Sequence, residues 1–470
     1  MTATKSQNKT GRWALQVCYA LAFLLLFLVC GMAWYVGHFW IRVESIPVVE
    51  DPLDVEEFLN TSPHQPEESI NWDETLRLMA VLREADEMVF DGKSEDVADA
   101  ERFLGITEPT IERLGQLACR IPAPVQSPLR WDPEFERKNI VPMARGSTRA
   151  LESRSKLLAE RGRHAEAGEC LITIIRLSRH HSYKQPLLPY LVAVATESIG
   201  IEGLREWLAS PGLEAEDIEA VRSVLHDLDP PPQALSELIK SELLTWVITP
   251  DELKTLRRPI SFDGPAQTRL GEWAKTLEIH SLEMNRATRV SRLYLTGLLA
   301  HCDLPLTRRP VPCAGLGPAD GSLPLDGDKL RQLVEREYAG LRIAWEQVYK
   351  ADSRMAARRA ATELSLALCA WQRRHGSYPE NLEDLVPRYF DALPFDPYSG
   401  KSFGYGHTTE PRGDPRVNRT VLASGQYFIY SVSYDGVDDH GLKDANTDLY
   451  PGDWIFALPM ISAEEFPRIN

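Results

Sequence analysis

The chain is short of positive charge: 52 Lys and Arg stand against 68 Asp and Glu over 470 residues, a formal charge of −16. That deficit argues against nucleic acid as a partner, whose phosphates demand a basic surface. Cysteine is sparse too, at seven residues, and no Cys-x-x-Cys or Cys/His ligand spacing occurs, so a zinc site has no support. There is no His-Glu-x-x-His, no phosphate-cradling Gly-x-x-x-x-Gly-Lys and no Gly-x-Gly-x-x-Gly. A nucleophile elbow is not expected either. Acidic pairs such as Glu56-Glu57 and Asp73-Glu74 are too common in so acidic a chain to mark a catalytic dyad, and read as solvated faces. His180-His181 are adjacent on a helix, so they point in different directions, and at least one is expected at the surface.

What is present begins with residues 13–41, which contain no Asp, Glu, Lys or Arg and centre on Ala20-Leu21-Ala22-Phe23-Leu24-Leu25-Leu26-Phe27-Leu28-Val29. About 20 apolar residues suffice to span a bilayer. Trp13 and Tyr19 before, and Trp34, Tyr35, Phe39 and Trp40 after, suit the headgroup levels. Lys5, Lys9 and Arg12 precede the run and acids follow Arg42, which places the N-terminus in the cytoplasm. A cleaved signal peptide shares the basic start and apolar core. Its apolar region is about half as long, however, and bulky Trp34-Tyr35 follow Gly31-Met32-Ala33 directly. The expectation is an uncleaved, single-pass anchor in the cytoplasmic (inner) membrane, with the bulk of the chain extracytoplasmic.

The organisation expected beyond the anchor is a cytoplasmic tail at 1–12, the transmembrane helix at 13–41, a Pro- and acid-rich linker at 42–70, a helical domain at 71–350 and a C-terminal α+β module at 351–470. Leu76, Met79, Ala80, Leu82 and Ala85 begin one amphipathic stripe. Leu151, Leu157 and Leu158 form another, and Ala167, Cys170, Leu171, Ile174, Ile175 and Leu177 a third. The last two meet at Arg161-Gly162-Arg163, a helical hairpin similar to one tetratricopeptide-like unit, without a clean internal repeat. Asp229-Pro230-Pro231-Pro232 breaks the helical pattern, and 303–328, with five prolines and four glycines, reads as a long loop. A helix is predicted from Asp328 to His375, stopped at Gly376. Its apolar stripe is Ala357, Ala361, Leu364, Leu368 and Trp371. Tyr427–Ser433 and Trp454–Leu458 are strand candidates. The fold class is therefore a mainly α ectodomain ending in a long helix on a small antiparallel sheet, behind one N-terminal transmembrane helix. Cys302 and Cys313 could pair across their loop, while Cys119, Cys170 and Cys369 read as buried, inert thiols.

Between two strand candidates, Asp435, Asp438, Asp439, Asp444, Asp448 and Asp453 fall within nineteen residues, with Gly436, Gly441 and Gly452 among them. Such a loop is either solvated or shares a cation. Calcium's flexible shell of six to eight oxygens suits it better than magnesium's octahedron.

The stretch 354–458 resembles the C-terminal globular region of the major pseudopilin (G) of bacterial type II secretion. The residues that carry the resemblance are Gly376-Ser377-Tyr378-Pro379, then Leu382 and Leu385, Leu393-Pro394-Phe395-Asp396-Pro397 and Phe403-Gly404-Tyr405. Tyr427-Phe428-Ile429-Tyr430-Ser431 before Asp435-Gly436 completes the series. The resemblance implies a calcium-stabilised module with Asp435 and Asp448 as ligands, the Val432 carbonyl as a third, and Asp438 and Asp444 as further candidates. Unlike a pseudopilin, the chain puts some three hundred residues between anchor and module and lacks the glutamate of the processing site, so a processed filament subunit is not expected. Together these features describe an extracytoplasmic structural or interaction protein of the cell envelope, linked to type II secretion or envelope assembly, with a protein partner on its helical domain. The alternative is an envelope hydrolase with catalytic carboxylates in the helical domain, for which no motif speaks.

Overall fold

A computed structural model describes residues 30–31, 69–89, 97–120, 122, 124, 132–228, 235–246, 279–299, 302, 327–410, 422–433, 436–441 and 453–459. The predicted transmembrane span therefore lies outside the described residues except for Cys30 and Gly31, which are helical. The linker, apart from Ser69 and Ile70, and the loop at 303–326 lie outside them as well.

The chain is mainly helical with one small antiparallel sheet. Helix α1 (Trp72–Val89) opens where the Asn71 side chain accepts the Glu74 N–H at 3.2 Å, and Asp73 and Glu74 place negative charge in its first turn. Helix α2 (Val97–Ala118) follows. A single turn at Pro133–Phe135 and a π-helical turn at Glu136–Ile140 lead into α3 (Val141–Glu160). Helix α4 (His164–Ser182) returns antiparallel after the turn at Gly162, whose φ of 73° only glycine takes readily. The hairpin read from the sequence is present, and all six stripe positions of α4 are buried.

Helices α5 (Leu187–Trp207) and α6 (Ala215–Asp227) complete the first bundle, then α7 (Leu235–Trp246) and α8 (Ile279–Leu299) come after the proline break. Among the described residues α5 alone is long and apolar enough to cross a membrane, but half of its apolar window is buried among its neighbours. That is how a core helix behaves. Gly200 and Gly203 let α4 come close: a β-carbon at Gly203 would lie 2.5 Å from Leu171 Cδ2.

Helix α9 (Gly327–His375) is 49 residues long and runs without interruption through residue 350. It joins two cores. Trp345, Val348 and Tyr349 pack with α7, α8 and the start of α5. Ala361, Leu364, Leu368 and their neighbours pack with α1–α6 on one side and with Ile429 and Phe456 of the sheet on the other. Arg374 in its last turn makes two hydrogen bonds to Glu219 of α6, at 2.9 and 2.8 Å, before Gly376 ends the helix with a φ of 81°.

The sheet has the order β1 (Gly404–His407), β2 (Tyr427–Ser431), β3 (Trp454–Ala457), antiparallel throughout. Ile429 lies opposite Tyr405 and Phe456. The two strands expected from the sequence are β2 and β3. The third, β1, escapes the aromatic and β-branched pattern because two of its four residues are glycine.

Candidate functional site

The acidic connection begins where β2 ends, and that end is pinned by Asp396 of the Leu393–Pro397 turn. Its carboxylate is buried and accepts the Ser431 hydroxyl at 2.8 Å and the N–H groups of Tyr398 and Val432 at 3.0 and 3.2 Å. Asp396 thus carries three charge-assisted bonds that fix the takeoff of the loop. Past it, Ser433 (φ 60°) and His440 (φ 57°) take left-handed conformations, as tightly coiled loops require.

Of the expected ligands, Val432 and Asp438 are described, and Asp435, Asp444 and Asp448 lie outside the described residues. Val432 sits at the loop's origin with its N–H bound to Asp396. The Asp438 carboxylate turns onto its own loop, accepting the His440 N–H at 2.8 Å, and is half exposed. Among the described residues, no three His, Cys, Asp or Glu side chains converge as a metal-holding group.

Asp453, at the entry to β3, stands out instead. It is fully buried, its Oδ2 accepts the Gly441 N–H at 2.7 Å, and its Oδ1 is buried without a hydrogen-bond partner among the described residues. Burial pushes its carboxyl up to about 6, with Asp438 and Asp439 adding to the shift and the backbone N–H groups of Gly441 and Asp439 opposing it. An aspartate's burial could not be read from a sequence in which it was one of six in a short acidic run.

Among the described residues the helical domain carries two grooves of several hundred Å³. One, of about 500 Å³, lies between α2 and α4 above α3 and is lined by Glu108, Glu112, Glu166 and Glu169 over an apolar floor that includes Leu158 and Cys170. At its base Arg154, nearly buried, donates to the Leu104 carbonyl at 2.9 Å and reaches Glu108 at 3.2 Å. Arg163 pairs with Glu166 at 2.6 Å and Arg176 with Glu169 at 2.8 Å. The Arg163 guanidinium holds the Glu166 carboxyl below its usual range, the opposite of what a general acid needs. A second groove of about 400 Å³, between α3 and α5, is floored by Leu171 and Trp207.

The histidine pair corrects an expectation, since both rings are buried. His180 Nε2 donates to the Ala118 carbonyl at 2.9 Å, and burial pushes the ring down to about 4. His181 Nε2 meets Glu136 Oε1 at 2.7 Å, and Glu136 belongs to the π-helical turn. That local widening carries the carboxylate inward to the histidine. Helix-wheel reasoning misses it because Ala118 of α2 meets one face of this last turn of α4 while Glu136 of the π-helical turn and Trp72 of α1 meet the other. Cys170 and Cys369 are buried, as expected, with thiols pushed up to about 12 by burial, whereas Cys119 is exposed. Cys302 is buried with its thiol on the Leu299 carbonyl at 3.0 Å, and Cys313 lies outside the described residues.

Gly400-Lys401-Ser402-Phe403-Gly404 does have the Gly-x-Ser-x-Gly spacing, contrary to expectation. Ser402 is exposed and forms an isolated bridge with Phe395 just before β1. A nucleophile elbow needs a strand-to-helix turn, and this turn leads into a strand. No protein-family model, curated protein or solved structure matches the chain. Its function is therefore argued from its own residues.

Proposed function

We propose that the chain is a single-pass, membrane-anchored extracytoplasmic interaction protein, with a helical domain that receives a protein partner and a calcium-stabilised, pseudopilin G-like C-terminal region. The apolar run at 13–41 with its basic N-terminal flank supports the anchor and its orientation. The grooves on the helical bundle support the partner, since Glu108, Glu166 and Glu169 are committed to arginines and Glu152 and Glu206 to Lys156, and so offer surface rather than acid–base chemistry.

The observation that carries the calcium reading is Asp453: a buried carboxylate with one oxygen unsatisfied, facing Asp438 and Asp439. Burying an unpaired negative charge is unfavourable unless a proton or a cation joins it. Around neutral pH a group pushed to about 6 is mostly ionised, so a divalent ion would relieve it. Asp453, Asp438 and the Val432 carbonyl would supply described ligands, and Asp435, Asp444 and Asp448 the remainder.

The test is thermal unfolding of the full-length protein in detergent, with millimolar calcium or with chelator. Calcium should raise Tm in the wild type and leave Asp453→Asn and the Asp435→Ala/Asp448→Ala pair unmoved. An unchanged wild-type Tm on chelation removes the calcium reading. Protease added to intact spheroplasts should degrade the bulk of the chain, and protection would reverse the orientation.

A further inference from the structure

Many described arginines of this acidic chain are matched to carboxylates, as Arg113 is to Glu74, Arg161 to Glu101 and Arg374 to Glu219. Arg358 of α9 is different. It is half-buried and makes no hydrogen bond or ion pair to any described residue. Arg354 lies one turn earlier on the same face, and Arg205 approaches from the last turn of α5.

Two aromatic rings of β3 hold those neighbours in place. The Arg354 guanidinium carbon stands 5.3 Å from the Trp454 ring centre, and that of Arg205 stands 5.2 Å from the Phe456 ring. Tyr398 meets Trp454 edge-on at 5.6 Å and closes one side. Glu202 faces the group but is half exposed and already bound to Arg205 at 3.0 Å. Burial lowers the proton affinity of Arg358; Glu202 works against that, while Arg354 and Arg205 add to it.

We propose that Arg358, flanked by Arg354 and Arg205, forms a binding site for a phosphate group at the seam of α5, α9 and β3. Guanidinium forks match tetrahedral oxyanions through paired N–H donors, and Arg358 offers its fork at the seam between two helices and a strand. An oxyanion would satisfy the fork of Arg358 and offset the repulsion it meets from Arg354 and Arg205. The phosphate can belong to a soluble molecule or to an anionic lipid headgroup; the chemistry at the arginines is shared. None of the three arginines is among the residues proposed to hold calcium.

The test is isothermal titration calorimetry on the full-length protein in detergent, first exchanged into chloride buffer. One arm adds inorganic phosphate at constant ionic strength; the other adds short-chain phosphatidylglycerol to the micelles, with phosphatidylcholine as control. Heat in the phosphate arm supports a soluble ligand, and heat with phosphatidylglycerol alone supports a headgroup. In either case Arg358→Gln should weaken binding at least ~10-fold, the loss expected for a charged hydrogen-bond partner. Arg358→Lys, which keeps the charge but loses the fork, should fall between, and it decides the matter if Arg358→Gln fails to fold. No binding in either arm, or wild-type affinity in the folded variants, overturns the proposal.

Discussion

The most demanding test of the packing is Glu197 of α5. Its Oε1 accepts from Arg179 Nε at 3.1 Å and from Arg359 Nη2 at 2.8 Å, so that one carboxylate ties α4, α5 and α9 together. The three side chains are 8%, 5% and 10% exposed. Glu197→Ala leaves two enclosed guanidiniums without their shared anion, which costs about 3–5 kcal/mol when a buried pair loses one partner. For a cooperative unit of roughly 300 residues, an unfolding entropy of about 0.6 kcal/mol/K translates this into a fall in Tm of ~5–8 °C. The assay is thermal unfolding of full-length wild type and variant in the same detergent. Removing one arginine as well, in Glu197→Ala/Arg359→Met, should give a milder loss than Glu197→Ala alone. The pH dependence adds a second arm. Burial opposes ionisation of Glu197, but Arg359 and Arg179 outweigh it and the carboxyl lies below its ordinary 4.5. A lowered carboxyl contributes fully above 4.5 and loses that contribution as pH falls through its folded value, so the gap to Glu197→Ala should narrow in acid. A Glu197→Ala Tm within about 1 °C of wild type at pH 7 would show that the triad does not hold the helices.

Three further outcomes follow from single residues. Gly404 lies opposite Tyr430, whose ring would be 2.0 Å from an added β-carbon, so Gly404→Ala should displace the ring and cost about 1–3 kcal/mol, read by denaturant unfolding. A thiol reagent applied to the native protein and followed by peptide mass spectrometry should modify exposed Cys119 well before Cys170 or Cys369, whose thiols are buried and pushed up to about 12. In calcium-free buffer, Asp453 contributes fully below the ordinary aspartate value of 3.8 and loses that contribution as pH rises through about 6. Asp453→Asn should then raise Tm at pH 7.5 and leave it unchanged near pH 3.8, and a variant less stable at pH 7.5 without calcium would contradict the burial argument.

The helices were legible because their signals are local. The α3–α4 hairpin announces itself through apolar spacing on both sides of Gly162, and α9 through a stripe that ends at a glycine. The sheet was two-thirds legible: β2 and β3 are rich in aromatic and β-branched residues, whereas Gly404 and Gly406 make β1 look like a turn. What pattern could not supply was depth. His181 and Glu136 are 45 positions apart, and the packing of the π-helical turn against α4 sets them 2.7 Å from each other. Asp453 looks like its five acidic neighbours in sequence. Only the chain's return at Gly441 buries it.

The long helix explains why charge recurs at the joints of this molecule. Along its length α9 meets α7 and α8 with its middle and α5, α6 and the sheet with its end, so its faces cannot all be apolar without becoming interchangeable in register. At the joints with α5 and α6 specific polar contacts fix the register: Tyr190 of α5 donates to Asp352 at 2.9 Å, Arg359 binds Glu197, and Arg374 binds Glu219. Polar contacts of this kind, two of them largely buried and the Arg374–Glu219 pair partly exposed, add little net stability but tolerate only one alignment. Sliding α9 by one turn would strand each partner at once. On this reasoning α9 keeps one register against α5 and α6, and a ligand at the proposed Arg358 site would touch a surface to which both the bundle and β3 contribute.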